Sequence, residues 1–324
     1  MIKVIITIYN ITRLIGLTIA LIFGGNGFIG SHLAERLVHD GFEVKIFDTF
    51  NTGIHNLDSI INDIEIVRGD FLNKDDLSCA LKNVELVFHY ISTTNPVTAI
   101  NNPVFDVESN IIGSIRLFQA AIENKIERVI FPSSGGTIYG PVQGDLIKET
   151  HPLNPVNPYA ISKLTIEKYL HYFNYSFGMD YFILRYSNPY GERQNPRGNQ
   201  GVIPIFLNKI KNKEHPVIYG DGSAIRDYIY IDDAIDATMA VLNSNTDETL
   251  FNVGSGQETS INQLISVMSD VTSSPVDPVF LENSGIYLPK IVLDISRIRK
   301  ETGWYPKTDI KEGIKKTWEW INKI

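Results

Sequence analysis

Short apolar runs alternate with longer amphipathic segments along the first two thirds of the chain. The apolar runs are rich in β-branched residues and predict strands over residues 18–23, 43–48, 64–70, 84–90, 128–134 and 180–187. The segments between them have helical spacing. One predicted helix ends at Gly41, a residue type that often follows a helix C-terminus, and another covers residues 108–125. Strands that alternate with helices predict an α/β fold built on a doubly wound parallel sheet.

The pattern changes after Tyr190, where a polar, glycine-rich segment over residues 191–201 is followed by short apolar runs and single helices. We therefore predict a first domain over residues 18–187 and a smaller C-terminal α/β domain over residues 188–324, with some chain returning to the first domain. Residues 1–17 precede the first strand as an N-terminal extension.

The N-terminal segment is apolar enough to be compared with a signal peptide or a membrane anchor. Its apolar stretch is interrupted by Asn10, Thr12 and Arg13, whereas a membrane span needs roughly 20 predominantly apolar residues. Signal cleavage near Ala20 would remove the first predicted strand. We therefore expect a cytoplasmic protein and a leader that the fold does not need.

With 324 residues, of which 43% are hydrophobic, the chain is long enough to bury an extensive core. Its formal net charge of −8 argues against a general attraction to nucleic acid or to anionic membranes, so an anionic ligand needs local donors. The single cysteine, Cys79, excludes an internal disulfide and fits a reducing compartment.

A glycine-rich turn joins the first predicted strand to the first predicted helix. It contains Gly24, Gly25, Gly27 and Gly30 and fits both GxGxxG and GxxGxxG. Glycines permit a tight turn and a close approach to a pyrophosphate, and the helix N-terminus supplies N–H groups and a positive dipole end. Asp48 ends the next strand, where a carboxylate binds ribose hydroxyls and repels a 2′-phosphate. The turn predicts a Rossmann-like domain that binds NAD rather than NADP.

Two further strand ends fall on the edge of the predicted sheet where open α/β sheets bind ligands. Asp70 is suited to accept a hydrogen bond from the adenine amine. His89 is interpreted as a structural residue, and no spacing of side chains predicts a metal site. The other residues expected to contact the cofactor at these ends and in the glycine turn are Phe28, Ile29, Phe71, Tyr90, Ile91 and Ser92.

Tyr159 and Lys163 stand four residues apart near the start of a predicted helix, so both face the same way. A phenol has a reference pKa of about 10, and a lysine cation together with an oxidised nicotinamide stabilises the phenolate. The pair therefore predicts a general base that also contacts the cofactor. The strand end "SSGGTIYG", at residues 133–140, adds a cluster of hydroxyls upstream of this helix.

Taken together, these motifs make the chain similar to the extended short-chain dehydrogenases/reductases of the NAD-dependent epimerase/dehydratase family, and most of all to UDP-glucose 4-epimerases. The resemblance runs from about Thr18 to the C-terminus. It rests on "GGNGFIGSH", Asp48, "SSGGTIYG", the Tyr159 and Lys163 pair, "RYSNPYG", "YGDGSAIRDYIYIDD" and "FNVGSG". It implies C4 epimerisation of a UDP-hexose through a 4-keto sugar, with tightly held NAD, a homodimer formed through two helices of the NAD domain, and a role in supplying polysaccharide synthesis.

The resemblance also implies site residues. Asn110 matches a position near the nicotinamide ribose, and Tyr186 is expected beside the cofactor. Asn188 and Tyr219 are expected to contact the nucleotide sugar, and Arg226 its phosphates. Ser134 is the favoured helper of Tyr159, and Thr137 and Ser133 are the other candidates, because many relatives carry the helper where this chain has Gly135.

The turn at residues 135–137 separates the reactions of the family. In 4,6-dehydratases this position holds Thr-Asp-Glu, whose carboxyl groups perform the elimination, whereas this chain has Gly135, Gly136 and Thr137. Epimerisation is therefore favoured. The alternatives are a UDP-glucuronate 4-epimerase, a dehydratase or dehydrogenase of the same family, and a non-catalytic NAD-binding sensor. A second phosphate-binding arginine of many relatives is missing before Lys290, and the aliphatic Ile291 would leave room for an N-acetyl sugar.

Overall fold

The computed structural model describes residues 18–51, 53–142, 144, 146–282 and 288–324. The predicted N-terminal extension over residues 1–17 lies outside the described residues. The chain forms two compact units. Unit one comprises the chain up to Thr94, Asn102–Pro132 and Thr165–Ile183, and unit two comprises Asn95–Asn101, Ser133–Leu164 and Leu184–Ile324. The predicted domain boundary between residues 187 and 188 stays a prediction.

The strands of the described residues, in chain order, are β1 (Ile19–Phe23), β2 (Glu43–Asp48), β3 (Ile64–Arg68), β4 (Leu86–His89), β5 (Arg128–Ser134), β6 (Asp180–Tyr186), β7 (Asn188–Tyr190), β8 (Val217–Tyr219), β9 (Ile225–Arg226), β10 (Tyr228–Tyr230), β11 (Leu250–Val253), β12 (Thr259–Ser260), β13 (Val279–Leu281) and β14 (Lys290–Ile291). The α-helices are α1 (Phe28–His39), α2 (Lys74–Ala80), α3 (Pro96–Asn101), α4 (Pro103–Asp106), α5 (Gly113–Glu123), α6 (Pro158–Phe177), α7 (Val202–Lys211), α8 (Ile231–Leu242), α9 (Ile261–Thr272), α10 (Ser296–Thr302) and α11 (Ile310–Ile321). A 3-10 helix covers His55–Ile60 and a π-helical turn covers Val107–Ile112.

The main sheet has seven strands in the order β11-β6-β5-β4-β1-β2-β3. In unit one, β1 pairs in parallel with β2 and β4, β3 pairs with β2, and β5 pairs with β4. The last four residues of β1 are fully buried, as expected of a parallel strand covered on both faces. The chain runs from β1 through β2 to β3 on one side of β1 and then crosses to β4 on the other side, so the edge between β1 and β4 is a topological switch point, where such sheets bind ligands.

Unit two carries smaller sheets. β7 pairs in parallel with β10, and β8 pairs in parallel with β13. β9 lies between the antiparallel β12 and the parallel β14. Helix α9 begins with a capping box in which Ser260 and Gln263 satisfy each other's backbone N–H groups. This cap fixes the start of α9 directly after β12.

The six strands predicted from the sequence are confirmed, with ends that differ by no more than two residues. Helix α1 ends at His39, and the N–H of Gly41, at φ +88°, donates to the carbonyl of Val38 at 3.1 Å, so the predicted C-terminal glycine is also confirmed. The helix predicted over residues 108–125 instead begins as the π-helical turn and continues as α5. In the described part of the chain, no helix has the length and apolar character needed to cross a lipid bilayer.

Candidate active site

The glycine turn lies between β1 and α1, at the switch point of the sheet. Gly24 has φ +76°, and a Cβ atom on it would lie 2.9 Å from the backbone Cα of Ile91, at the end of β4. A Cβ atom on Gly30 would lie 2.4 Å from the carbonyl oxygen of Gly24. Both positions therefore require glycine, because the atoms that they would meet belong to the backbone.

Helix α1 presents its N-terminus to solvent through the exposed N-cap residue Gly27, and no described side chain caps it. The first N–H groups of such a helix, with the positive end of its dipole, form a site for an anionic group. Phe28 and Ile29, both predicted cofactor contacts, are half-buried in this first turn. The cradle of glycine backbone and helix N-terminus therefore fits a dinucleotide pyrophosphate.

Asp48, at the end of β2, is hydrogen-bonded to the glycine turn. Its Oδ2 accepts from the N–H of Asn26 at 3.2 Å, and its Oδ1 accepts from the N–H of Phe50 at 3.3 Å. The side-chain amide of Asn26 in turn donates to the carbonyl of Gly53 at 2.6 Å. The carboxylate is half-buried beside the turn, where its remaining lone pairs suit ribose hydroxyls.

The other predicted cofactor residues of unit one differ in their surroundings. Asp70 is exposed, and its Oδ1 accepts from the N–H of Leu72 at 2.9 Å. The side chain of Phe71 is buried and packs against Phe23 and His89, so a cofactor contact from Phe71 would have to use its main chain. Tyr90 and Ile91 are half-buried and Ser92 is exposed at the end of β4, next to Gly24.

Asn110 lies in the π-helical turn and is buried. Its Oδ1 accepts from the N–H of Thr93 at 3.2 Å, while its Nδ2 donates to the Oγ1 of Thr94 at 2.8 Å and to Asp106 at 3.0 Å. Thr94 is also hydrogen-bonded to Asp106. The side chain thus holds the segment that follows β4, and π-helical turns often occur at functional sites.

His89 was interpreted from the sequence as structural, and the structure supports that interpretation. The ring is buried among Phe71, Phe118 and Phe131, and its Nε2 lies 2.7 Å from the Oγ of Ser114. Within the described residues, no group of three or more His, Cys, Asp and Glu side chains is arranged to hold a metal ion.

In unit two, the turn after β5 brings two of the candidate hydroxyls together. The Oγ1 of Thr137 donates to the Oγ of Ser134 at 2.8 Å, and both side chains are half-buried, whereas Ser133 is buried. A Cβ atom on Gly135 would lie 2.6 Å from the side chain of Leu293 and 2.9 Å from a backbone oxygen, so this position leaves no room for a hydroxyl. Ser134 and Thr137 are therefore the hydroxyls that the turn can offer as a pair.

A buried polar network supports this turn, and the sequence did not reveal it. Tyr139 is fully buried; its hydroxyl donates to Asn252 at 2.7 Å and accepts from the guanidinium of Arg185 at 2.9 Å. The N–H of Asn252 donates to Glu149 at 2.9 Å. Burial raises the pKa of Glu149, while the hydrogen bond from Asn252 and the charge of Arg297 oppose the shift. Tyr139 therefore has a structural role in the turn.

Helix α6 begins at Pro158, after Asn157, whose side chain accepts from the N–H of Ala160 at 2.9 Å. This N-terminus fixes Tyr159 and Lys163 on the same face. The Nζ of Lys163 lies 5.7 Å from the centre of the Tyr159 ring, and Lys163 is buried while Tyr159 is half-buried. The predicted proximity of the two side chains is confirmed, and their catalytic role stays a prediction.

A cavity of about 530 Å³ in unit two brings together three of the five residues expected to bind substrate, Asn188, Tyr219 and Arg226. The other two, Ser134 and Tyr159, are not among its described lining residues. Tyr219 is exposed at the edge of the cavity, and Asn188 and Arg226 are half-buried. The Nη1 of Arg226 donates to the carbonyls of Ile225 and Leu288, both at 2.8 Å. Tyr186, which is predicted to lie beside the cofactor, is not among the described residues that line this cavity. It is buried and hydrogen-bonded to Thr238.

Asp227, next to Arg226 in the chain, organises one side of this cavity. Its backbone carbonyl accepts from the N–H and from the side-chain amide of Asn188, at 3.1 and 2.8 Å. Its fully buried carboxylate accepts hydrogen bonds from Ser255, Gly256 and Leu293. Burial raises the pKa of Asp227, and these hydrogen bonds oppose the shift. The sequence reasoning missed this residue, although it stands inside the quoted "YGDGSAIRDYIYIDD" motif.

Known proteins match this chain over most of its length. The model of the family described as "NAD dependent epimerase/dehydratase family" matches residues 20–254. A putative UDP-glucose 4-epimerase of Methanocaldococcus jannaschii is 37% identical over 302 residues, which cover 93% of this chain and 97% of that protein.

Solved structures are similar over almost the whole chain. The UDP-glucose 4-epimerase of Thermotoga maritima with UDP-glucose is 33% identical, with a TM-score of 0.90, over 94% of this chain and 99% of that one. The UDP-N-acetylglucosamine 4-epimerase of Methanobrevibacter ruminantium, in complex with UDP-N-acetylmuramic acid, is also 33% identical, with a TM-score of 0.89, over 96% of this chain and 100% of that one. This chain therefore belongs to the NAD dependent epimerase/dehydratase family, whose cofactor is NAD.

Proposed function

We propose that this protein catalyses the epimerisation at C4 of a UDP-hexose, of either the glucose/galactose pair or the corresponding N-acetyl pair. The observation that carries the proposal is the lining of the cavity in unit two. Asn188, Tyr219 and Arg226 line it together with apolar side chains, and none of its described lining residues is acidic. Apolar and aromatic walls suit a nucleobase and a ribose, and a guanidinium suits phosphate oxygens.

The turn after β5 favours epimerisation over dehydration. Elimination of water needs an acid and a base beyond the group that acts at C4. The hydroxyls of Ser134 and Thr137 are present in the turn, but residues 134–137 include no carboxylate. A Cβ atom on Gly136 would make only ordinary contacts, at 3.5 Å or more, so the missing carboxylate reflects the sequence rather than a lack of space.

In this proposal Tyr159, as the phenolate, takes the proton of the 4-hydroxyl of the sugar, and later returns it. The nearby ammonium of Lys163 stabilises the phenolate, since an opposite charge favours the ionised form of a phenol. Ser134, hydrogen-bonded to Thr137, orients the 4-hydroxyl. NAD, when bound, supplies a hydride acceptor that gives the hydride back. The proton and the hydride both return to the sugar, so there is no net oxidation.

The glucose/galactose pair and the N-acetyl pair differ at the C2 substituent of the sugar. The two epimerases of known structure described above are named for different sugars, and each is 33% identical to this chain. Sequence identity therefore favours neither sugar pair. Ile291, which the family resemblance puts near the sugar C2 substituent, is buried in a core cluster with Ile138, Tyr139 and Leu293. A supply of sugar nucleotides for polysaccharide synthesis, and the homodimer, remain proposals.

The test is to incubate the protein separately with UDP-glucose, UDP-N-acetylglucosamine and UDP-glucuronate, and to identify the products by NMR while NADH absorbance is recorded. We expect one of the first two sugars to reach equilibrium with its C4 epimer without accumulation of NADH. A 4-keto product would support a dehydratase, NADH formed in proportion to product a dehydrogenase, and epimerisation of the glucuronate alone that alternative epimerase. Binding of NAD with none of these reactions would support the sensor.

Tyr159→Phe tests the base. We expect turnover to fall by about a hundredfold to ten-thousandfold, the contribution typical of general acid–base catalysis, while NAD content and melting temperature stay unchanged. The matched control is Tyr175→Phe, the same change at an exposed position of the same helix, which should leave turnover unaltered. Near-normal activity of Tyr159→Phe would remove this residue from the mechanism.

A further inference from the structure

We propose that Lys209 is a second positive group for the diphosphate of the nucleotide sugar, acting together with Arg226. The inference rests on the proposed function, since it concerns the substrate cavity, and it assigns to that cavity a charge that no motif in the sequence indicated. Lys209 and Arg226 both line the cavity, Lys209 from helix α7 and Arg226 from strand β9.

The direction of the Lys209 side chain follows from the geometry of α7. Of the residues of this helix that line the cavity, Val202, Phe206 and Lys209 recur at spacings of four and three, which places them on one helix face. Phe206 is buried, whereas Lys209 is half-buried one turn farther along. From this face a long lysine stem can lie along the apolar wall while its ammonium remains in contact with water.

The charge balance of the cavity is opposite to that of the whole chain. The chain has a formal net charge of −8, yet the described lining residues include the two cations Lys209 and Arg226 and no Asp or Glu. A pyrophosphate diester carries a negative charge on each phosphate, so the single guanidinium of Arg226 balances only one of the two charges. A lysine ammonium with rotatable donors suits phosphate oxygens that a single guanidinium leaves unmatched.

The structural alternative for Lys209 is an ion pair at the end of the helix. Its Nζ lies 3.6 Å from the Oε2 of Glu214, and a cation in the last turn also interacts favourably with the helix dipole. Glu214 is more than half exposed, so this pair contributes little to stability. An ammonium held at that distance can move to a phosphate at small cost. The two roles therefore predict different results for variants of the two partners.

The experiment measures the affinity of the NAD-loaded enzyme for UDP and for uridine by calorimetry in wild type, Lys209→Gln, Glu214→Gln and Lys211→Gln. Lys211 is the matched control, because it is on the same helix but donates to the carbonyls of Ile321 and Ile324 at 2.7 and 2.9 Å and does not line the cavity.

We expect Lys209→Gln to weaken UDP binding about tenfold, equivalent to ~1.4 kcal/mol, and to leave uridine binding unchanged. Its UDP affinity should also depend less on salt than that of the wild type, because one charge pair is lost. Lys209→Arg should restore most of the UDP affinity. Glu214→Gln and Lys211→Gln should bind UDP at least as well as the wild type does.

The results that overturn the inference are separable from those that overturn the proposed function. Equal UDP affinity in wild type and Lys209→Gln overturns the role of Lys209 alone. Equal loss of UDP and uridine binding in Lys209→Gln shows a damaged cavity and also overturns it, as does a matching loss in Glu214→Gln. A wild-type protein that binds neither UDP nor UDP-glucose overturns the proposed function, and the role of Lys209 falls with it.

Discussion

Asp227→Asn is expected to damage both the stability of the protein and its substrate cavity. The Asp227 carboxylate is fully buried, and its Oδ1 accepts from the N–H and the hydroxyl of Ser255, each at 2.7 Å. Its Oδ2 accepts from the N–H groups of Gly256 and Leu293, each at 3.2 Å. An asparagine has one acceptor oxygen, so its NH₂ group must face donors that have lost their acceptor.

The size of the effect follows from this count of donors. A buried polar group left without a partner costs about 1–3 kcal/mol, so two orphaned donors should lower the free energy of unfolding by about 2–6 kcal/mol. That loss is large against a typical total of about 5–15 kcal/mol. Because the Asp227 carbonyl also holds the Asn188 side chain, we expect weaker UDP binding as well.

Urea unfolding followed by circular dichroism measures the first effect, and calorimetry with UDP the second. The matched control is Asp221→Asn, in which an exposed carboxylate bonded to the N–H and hydroxyl of Ser223 is changed in the same way and should have little effect. Ser255→Ala, which removes only one donor, should lose about 1 kcal/mol. A loss below ~1 kcal/mol for Asp227→Asn, or an equal loss in the control, would show that the buried carboxylate is not needed to satisfy these donors.

Two further predictions concern the cofactor. Gly30→Ala places a methyl group 2.4 Å from the carbonyl of Gly24, and overpacking of this kind costs about 1–3 kcal/mol, so NAD affinity should fall at least about tenfold by fluorescence titration. The control is Gly41→Ala, just after the other end of α1, where a Cβ atom has open space but φ is +88°. This backbone strain should lower the melting temperature without changing NAD affinity. Equal NAD affinities in the two variants would contradict a role of the glycine turn in binding NAD. Asp48→Asn removes the charge that repels a 2′-phosphate, so the preference for NAD over NADP should fall about tenfold in parallel titrations. An unchanged preference would show that Asp48 does not select the cofactor.

The parts of the fold that the sequence predicted are those whose cause is local. Buried parallel strands are continuous apolar runs, and for that reason β5 was predicted with the same ends that the structure shows. The strands β3 and β4 are shorter than predicted. A strand ends where its hydrogen bonds to neighbouring strands end, and the sequence of one strand does not show that point. The glycines of the turn were visible because backbone crowding at Gly24 and Gly30 leaves a sequence signature.

The parts that the sequence could not give depend on distant partners. The strand β11 lies at the edge of the main sheet beside β6, far from it in the chain, and nothing in "LFNV" indicates that place. In the sequence, Gly135 is a departure from the family pattern. The structure explains it, because the side chain of Leu293 occupies the space that a Cβ atom at this position would need. No motif in the sequence singles out Lys209, and only the cavity places it beside the predicted substrate residues.

In the proposed reaction, hydride leaves C4 of the sugar and returns to the same carbon. The most direct measurement is to incubate the protein with UDP-glucose, or the N-acetyl sugar if that is the substrate, deuterated at C4, and to follow the label by NMR. We expect a C4 epimer that keeps the deuterium at C4, with no label in solvent and no free NADH. Deuterium found on another carbon of the sugar, or released with free reduced cofactor, would contradict it.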